Sequence, residues 1–486
     1  MKSVAIIGGG ITGLTAAFYL QRRGVSVAVY EASGRVGGVI QSLRRDGYLA
    51  EFGPNTILET SPKIAALVRD AGLESRKLNP DPKAESRYVV RYGRPILMPG
   101  SPLGFFSTEL FSYKAKIAVL REAFVSPQRN GVEESIGQFV IRRFNQEFLD
   151  HAIDALVGGI YAGDPYRLSV THAFPKLKAL EDNYGSMIRG QLFGGRERKK
   201  RGEIAKDRAP KFSFDEGLQV LPDTLRARLG AAVRLNTTVT RLTEAPAGWT
   251  LDLQEGGGES RAEHGAVIFC GTAPRLAELK IELLSESAAP LSPSLSSDGQ
   301  GVAAGRERGR PLNLVAFSEI RYPPVASVVL GFRREDVAHP CMGFGMLIPK
   351  IAGFKSLGTL FSSSLFPNRA PAGHLTLTTY VGGERYPELA SLPEAKLVAL
   401  VYEDLRALLG VRGQPTFQHC VLYPQAIPQY NVGYGRFKDL MTRIEAQAPG
   451  FFLAGHYRDG VSLSDSIGSG INVVERVERF VTGEVS

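Results

Sequence analysis

The first thirty residues leave the chain little choice. Val4–Ile7 is a short apolar run ending in Gly8, Gly9 and Gly10, residues 11–23 carry apolar side chains at helical spacing until Gly24, and 25–30 reads as a second strand. Strand, glycine turn, helix and strand in so short a span make a βαβ unit, which requires a parallel sheet with a right-handed crossover. In this G-x-G-x-x-G pattern each glycine has its own reason. Gly8 permits the tight turn, Gly10 lets backbone approach a pyrophosphate, and Gly13 lets helix and strand pack closely. The helix N-terminus beyond them offers free N–H groups and a positive dipole end to phosphates. Glu31, at the end of the second strand, lies 23 positions after Gly8, the spacing of an acid that binds a ribose hydroxyl. The pattern predicts a dinucleotide, and by itself does not separate NAD from FAD.

At 486 residues, two or three domains are expected. Residues 113–180 read as mainly helical, with 133–144 and 147–157 the clearer segments, and 194–211 is basic and glycine-containing. A helix over 214–229 and strands near Val233, Val239, Trp249 and Val267 return to the nucleotide-binding unit. Residues 285–309, rich in Ser, Ala, Pro and Gly, bury too little apolar surface to fold alone and are expected to form a flexible loop. Runs at 326–331, 345–348, 356–361 and 375–381 predict an antiparallel sheet, followed by a helix over 394–409, a strand over 451–454 and a helix over 466–480.

Cys270, Cys341 and Cys420 are far apart, which argues against a disulfide framework or a thiolate metal site and fits a reducing, cytoplasmic setting. No uncharged apolar run has the length of a spanning helix, although attachment to a bilayer surface stays open. The opening glycines follow a phosphate-binding pattern with no cleavage-like site after them, so they read as mature structure rather than a signal peptide. A net charge of +9 predicts attraction to anions without choosing among nucleic acid, anionic lipid and a carboxylate-bearing substrate. No Ser/His/Asp, Cys/His or metal-ligand constellation stands out, and His456 is equally a packing residue or a proton carrier.

The residues after the fingerprint narrow the reading. Glu31, Arg35, Gly37 and Gly38 form E-x-x-x-R-x-G-G, which resembles the extended fingerprint of the FAD family of amine oxidases, phytoene desaturases and protoporphyrinogen oxidases. Ala454-Gly455, followed by Gly460, Val461, Ser462 and Leu463 and a helix, supplies the matching C-terminal half. More specific blocks then occur in order: Phe52-Gly53-Pro54-Asn55-Thr56; R-Y-V-V-R from Arg87; G-I-Y-A-G-D-P from Gly159; G-F-G-M-L-I-P from Gly343; L-G-T-L-F-S-S from Leu357; F-P-N-R-A-P from Phe366; and Y-V-G-G from Tyr380. Across almost the whole chain these resemble the oxygen-dependent protoporphyrinogen oxidases.

That resemblance implies an α/β fold with a Rossmann-type FAD-binding domain (1–80, 212–284 and 440–486), an α+β substrate domain (81–91 and 310–439) and an inserted helical, membrane-associating region (92–211). It implies FAD held by Gly8, Gly10, Gly13, Glu31, Arg35, Gly37, Gly38, Gly53, Pro54, Val239, Gly455, Val461, Ser462 and Leu463. On the substrate side Arg87 would pair with a propionate, Leu347 and Leu360 would clamp one macrocycle ring, Tyr380 would stack on another, Gly163 would line the site and Asn55 would orient the substrate. The family more often has phenylalanine at the Tyr380 position, so a hydroxyl is expected in the pocket. The implied partners are protoporphyrinogen IX or coproporphyrinogen III and molecular oxygen, with no nucleic acid. Leu103, Phe105, Phe106, Leu110 and Phe111, near the basic run Arg196, Arg198, Lys199, Lys200 and Arg201, would contact an anionic membrane. The oligomeric state stays open, a homodimer included. The alternatives are a flavin amine oxidase or carotenoid desaturase, and a non-catalytic binding protein on the same scaffold, as in Rab GDP dissociation inhibitors.

Overall fold

The computed structural model describes residues 3–193, 209–284 and 309–483. The expected loop at 285–309, apart from Gly309, and the basic run at 196–201 lie outside them. Apolar runs buried on both faces favour parallel strands, and four such segments with the short edge pair Val233–Arg234 form one all-parallel sheet. Its order is Val233–Arg234, β2 (Val27–Tyr30), β1 (Val4–Ile7), Ala266–Phe269 and Phe451–Leu453. Because side chains alternate along a strand, Val4 and Ile6 enter one core with α1 (Ile11–Arg22), while Ala5 enters another with Trp249 and Phe451. The C-terminal helix Leu463–Thr482 crosses α1 at close range, and a Cβ on Gly470 would sit 2.5 Å from the Thr12 carbonyl.

A second, seven-stranded sheet runs Phe417–Tyr423, Val325–Arg333, His374–Gly382, Ser356–Leu360, Gly345–Leu347, Arg87–Arg91 and Arg94–Leu97. All its pairings are antiparallel except that of Gly345–Leu347 with Arg87–Arg91, so the sheet is mixed rather than antiparallel. Arg94–Leu97, inside the stretch expected to be helical, joins it as an edge strand because it completes a hairpin with Arg87–Arg91. One face packs on helix Glu394–Leu409 through Val328, Leu330, Leu377, Val401 and Leu405. The opposite face packs through Val329 on Tyr48, Ala50 and Phe52 and holds the candidate site.

Between Pro102 and Phe193 the chain is helical, organised around a buried charge cluster. Arg143 is wholly buried and donates to Glu122 at 2.8 Å and to Glu181, which also pairs with Arg142. Glu122 in turn accepts from the Ser186 hydroxyl and the backbone N–H groups of Met187 and Ile188. Of the apolar side chains expected on the surface, Leu103 is 85% exposed and Phe106 is exposed, whereas Leu110 and Phe111 are buried against Val89, Ile96 and Ala155. That expectation fails for Leu110 and Phe111 because the segment after helix Pro102–Ser107 turns back onto the hairpin.

Breaking a buried ion cluster from one side strands the remaining charges. Arg143→Ala is expected to destabilise the protein by about 3–5 kcal/mol, read as a fall in the denaturation midpoint.

Candidate active site

Two helix N-termini lie side by side at the ends of the parallel strands. Thr12, in the first turn of α1, donates through its hydroxyl to the Ser466 carbonyl in the first turn of the C-terminal helix, at 3.0 Å. Ser462 caps that helix, accepting from Asp465 N–H while the Asp465 carboxylate accepts from Ser462 N–H. Paired positive dipole ends and free N–H groups suit a pyrophosphate. The glycines behave as the fingerprint requires. Gly8 has φ +110° and a Cβ there would meet Cys270 backbone at 3.2 Å; a Cβ on Gly13 would lie 2.1 Å from the Gly8 carbonyl; one on Gly10 would meet nothing within 4 Å. Helix and strand therefore touch beside Gly13, and the turn opens to a groove at Gly10.

Glu31 sits at the rim of that groove, with one carboxylate oxygen accepting from Gly9 N–H at 2.6 Å and the other from Ser33. Val239 lies half-buried on the strand that starts when Thr237 N–H donates to the Glu31 carbonyl. Gly37 N–H donates to the Gly9 carbonyl and Gly38 adopts φ +59°, which folds the 35–40 turn over the groove. Arg35 braces this turn, donating to the carbonyls of Val36, Gly38 and Ile40. On the far side Gly455 N–H donates to Ser469, and Val461 and Leu463 pack into the cores on either side of the parallel sheet. The glycine turn, the two helix N-termini and the acid at the rim form a cradle whose donors suit FAD.

The register of the seven-stranded sheet decides what faces that cradle. One row runs Val89, Leu347, Gly358, Tyr380 and Ser327; the next on the same face runs Arg87, Gly345, Leu360, Thr378 and Val329. Arg87, Leu347, Leu360 and Tyr380, scattered along the sequence, thus share one face, with Gly345 and Gly358 between them as positions without side chains. Phe52–Asn55 closes the row. Gly53 must be glycine, since a Cβ would lie 2.1 Å from the Val39 carbonyl, and Pro54 carries the chain to Asn55. Tyr380 donates its hydroxyl proton to the Gly53 carbonyl at 2.9 Å and accepts from the Asn55 amide at 3.0 Å. The hydroxyl expected in the pocket is therefore committed to the Phe52–Asn55 segment, and burial raises its pKa.

Gly163 follows Ala162, a left-handed residue at φ +48° that ends helix Asp154–Tyr161. A Cβ on Gly163 would strike Gln429 Oε1 at 2.5 Å, and one on Gly383 would strike the Ala162 carbonyl at 2.4 Å, so the G-I-Y-A-G-D-P and Y-V-G-G blocks meet in space. Arg87 stacks on Phe344 at 5.6 Å and has no carboxylate partner among the described residues. Three participants escaped the sequence: Ser362, which donates to Asn55 Oδ1; Tyr423, which donates to the Val39 carbonyl; and Glu51. Ser362 lay within a recognised block, while Tyr423 and Glu51 carried no local signal. Among the described residues no group of three or more His, Cys, Asp or Glu is placed to hold a metal.

The fold and groove agree with what the chain resembles. Residues 11–478 match the model of the family described as flavin containing amine oxidoreductase. The chain belongs to that family. It is an FAD-dependent oxidoreductase. It is 33% identical over 99% of its length to protoporphyrinogen oxidase 2, chloroplastic/mitochondrial, of Arabidopsis thaliana, covering 94% of that protein. It is 29% identical to coproporphyrinogen III oxidase of Bacillus subtilis (strain 168), with 96% of each chain covered. A solved structure named as a putative protoporphyrinogen oxidase from Exiguobacterium sp. 255-15 shares the fold with a TM-score of 0.77 at 22% identity over 98% of both chains.

Glu51 gives this site a pH signature. It is buried, accepting from Ser42 and from Leu218 N–H at 2.7 Å each, and desolvation pushes its carboxyl up to about 7 despite those bonds. A folded pKa above the unfolded value means that the folded state holds the proton longer, so stability falls as pH rises from about 4.5 to about 7 and then levels. Relative to Glu51→Gln, the wild-type protein should lose on the order of 3 kcal/mol across that window, measured by denaturant melts at stepped pH.

Proposed function

We propose that this protein oxidises protoporphyrinogen IX to protoporphyrin IX, with molecular oxygen as acceptor and hydrogen peroxide as co-product. The observation that carries the reading is the single sheet face bearing Arg87, Leu347, Leu360 and Tyr380, joined at Tyr380 to the flavin-side segment Phe52–Asn55. A largely apolar macrocycle with charged propionates, puckered as the porphyrinogen and flat as the porphyrin, needs such a surface: apolar side chains to grip it, gaps to admit it and a cation at one end. The relatives named for protoporphyrinogen and coproporphyrinogen oxidation support the same substrate class.

FAD, when bound, supplies the two-electron acceptor. The protein's part is placement. Arg87, free of a carboxylate partner among the described residues, is offered to a propionate. Leu347, backed by Gly159 on helix Asp154–Tyr161, and Leu360 grip one ring, the Tyr380 ring supports another, and Asn55, held by Tyr380 and Ser362, orients the substrate. Gly163 keeps its wall open. With its proton bonded to the Gly53 carbonyl and its pKa raised, the Tyr380 hydroxyl is a spacer rather than a base.

The test is porphyrin fluorescence from each porphyrinogen in air, corrected for spontaneous oxidation. Protoporphyrinogen IX is expected to show the higher kcat/KM. A preference for coproporphyrinogen III would reassign the substrate, and peroxide from a polyamine without porphyrin formation would return the amine oxidase reading. Because a charge-assisted hydrogen bond is worth about 1.5–3 kcal/mol, Arg87→Ala should raise KM roughly tenfold or more with flavin content unchanged.

The helical region adds a surface. Tyr113 and Phe124 are each 82% exposed, and Ile117 and Leu120 continue the Tyr113 stripe along helix Tyr113–Arg121 beside Leu103 and Phe106. Among the described residues no helix is long and apolar enough to cross a membrane, and this patch suits lying on one. The triple variant Leu103→Asp, Ile117→Asp and Phe124→Asp should cut co-sedimentation with anionic vesicles by about tenfold or more.

A further inference from the structure

His456 follows the glycine that opens the C-terminal half of the cradle, and its ring is oriented by a partner far away in sequence. Its Nε2 lies 3.1 Å from the Tyr322 hydroxyl, and the two rings meet edge-on at 5.7 Å. The direction of that hydrogen bond follows from Tyr322's other contact. Ala273 N–H donates to the Tyr322 oxygen at 3.2 Å, and among the described residues no acceptor other than His456 Nε2 is in reach of the phenolic proton. The phenol therefore donates to Nε2, which must be unprotonated. The remaining proton of the neutral imidazole is on Nδ1. Burial pushes the His456 pKa down to about 4, so the ring stays neutral at physiological pH.

The Nδ1–H then has no acceptor among the described residues. It differs in this from His151 Nδ1 and the Tyr457 hydroxyl, which are also unpartnered but sealed from solvent, whereas the half-buried His456 has no atom among the sealed, unpartnered ones. His456 is absent from the walls of the surface cleft of about 420 Å³ beside Pro274, Val315, Arg321 and Tyr322. His456 opens helix His456–Asp459 between Gly455 and Gly460, the two left-handed glycines of the segment that borders the dinucleotide groove. The backbone carbonyl of His456 is held from behind by the Tyr430 hydroxyl, and Gly460 N–H donates to that same hydroxyl, which fixes the segment on both sides of the ring.

We propose that His456 is a cofactor-binding residue, donating an Nδ1–H hydrogen bond to bound FAD, and that Tyr322 is the positioning residue that sets its tautomer. The inference rests on FAD filling the groove at Gly8–Gly13 and assigns a contact on its opposite side that the glycine fingerprint does not supply. It also gives the Tyr322–His456 pair a purpose that packing alone would not demand, since two apolar rings would fill the same volume without a buried polar atom left over.

The tests use purified holoprotein and read the flavin directly. His456→Ala should weaken FAD binding roughly five- to tenfold, as expected for one neutral hydrogen bond, and shift the visible flavin absorption. His456→Asn, whose amide reaches the Nδ1 position, should restore both, while His456→Gln, whose amide reaches only the Nε2 position, should not. Tyr322→Phe should reproduce part of the loss, and the double variant with His456→Ala should be no worse than His456→Ala alone. In 15N-labelled holoprotein the His456 ring should show a protonated Nδ1. Unchanged FAD affinity and spectrum in the folded alanine variant, or a ring protonated on Nε2, would overturn the proposal. Loss of FAD from both His456→Asn and His456→Ala would show a structural role instead. Should the alanine variant fail to fold, the asparagine and glutamine variants and the ring nitrogen signals decide. A failure of porphyrinogen oxidation with these flavin readouts as expected would count against the substrate reading and not against this one.

Discussion

The carbonyl of Gly53 accepts a hydrogen bond from the Tyr380 hydroxyl, and the two halves of the molecule are referenced to each other through it. Tyr380 belongs to a central strand of the seven-stranded sheet, and Gly53 belongs to a segment that touches the turn over the dinucleotide groove, close to the Val39 carbonyl. Asn55 adds a second bond to the same hydroxyl and is steadied by Ser362. Asn55 and Ser362 are buried and Gly53 and Tyr380 half-buried, in surroundings where an unmade hydrogen bond costs more than a made one gains. The distance between the sheet face and the Phe52–Asn55 segment is therefore held within narrow limits, which is what a transfer between bound molecules would need.

Much of what makes the site follows from the absence of side chains. Gly13 and Gly470 let α1 approach a strand and a second helix, so that two helix N-termini converge on one groove. Gly345 and Gly358 leave gaps on the sheet face between Leu347, Leu360 and Tyr380. Gly163 and Gly383 allow the end of helix Asp154–Tyr161 to close against the same sheet. The polar side chains that remain are fixed by their neighbours: Arg35 by its own turn, Glu31 by Gly9 and Ser33, His456 by Tyr322.

The glycine turn, β1, α1 and β2 were legible because their chemistry is local, and helix Glu394–Leu409 has the bounds that its periodicity predicts. The sheet face was not legible from pattern. Arg87–Arg91 pairs with Gly345–Leu347, a partner too remote for any local signal, and only the order of the motif blocks hinted that Arg87, Leu347, Leu360 and Tyr380 belong together. Periodicity also gave no means of separating Leu103 and Phe106, which reach solvent, from Leu110 and Phe111, which are buried, since all four lie within residues 103–111. Whether Tyr380 presents its hydroxyl to a ligand or to its own protein depends on Gly53 and Asn55, and the tautomer of His456 depends on Tyr322; both are tertiary facts.

The most direct test of this arrangement is a crystal structure of the FAD-loaded protein with protoporphyrin bound. The macrocycle should lie against the face formed by Leu347, Leu360 and Tyr380, with a propionate at Arg87 and one edge beside Asn55. A macrocycle bound elsewhere, or a Tyr380 hydroxyl detached from Gly53 in the complex, would contradict the account.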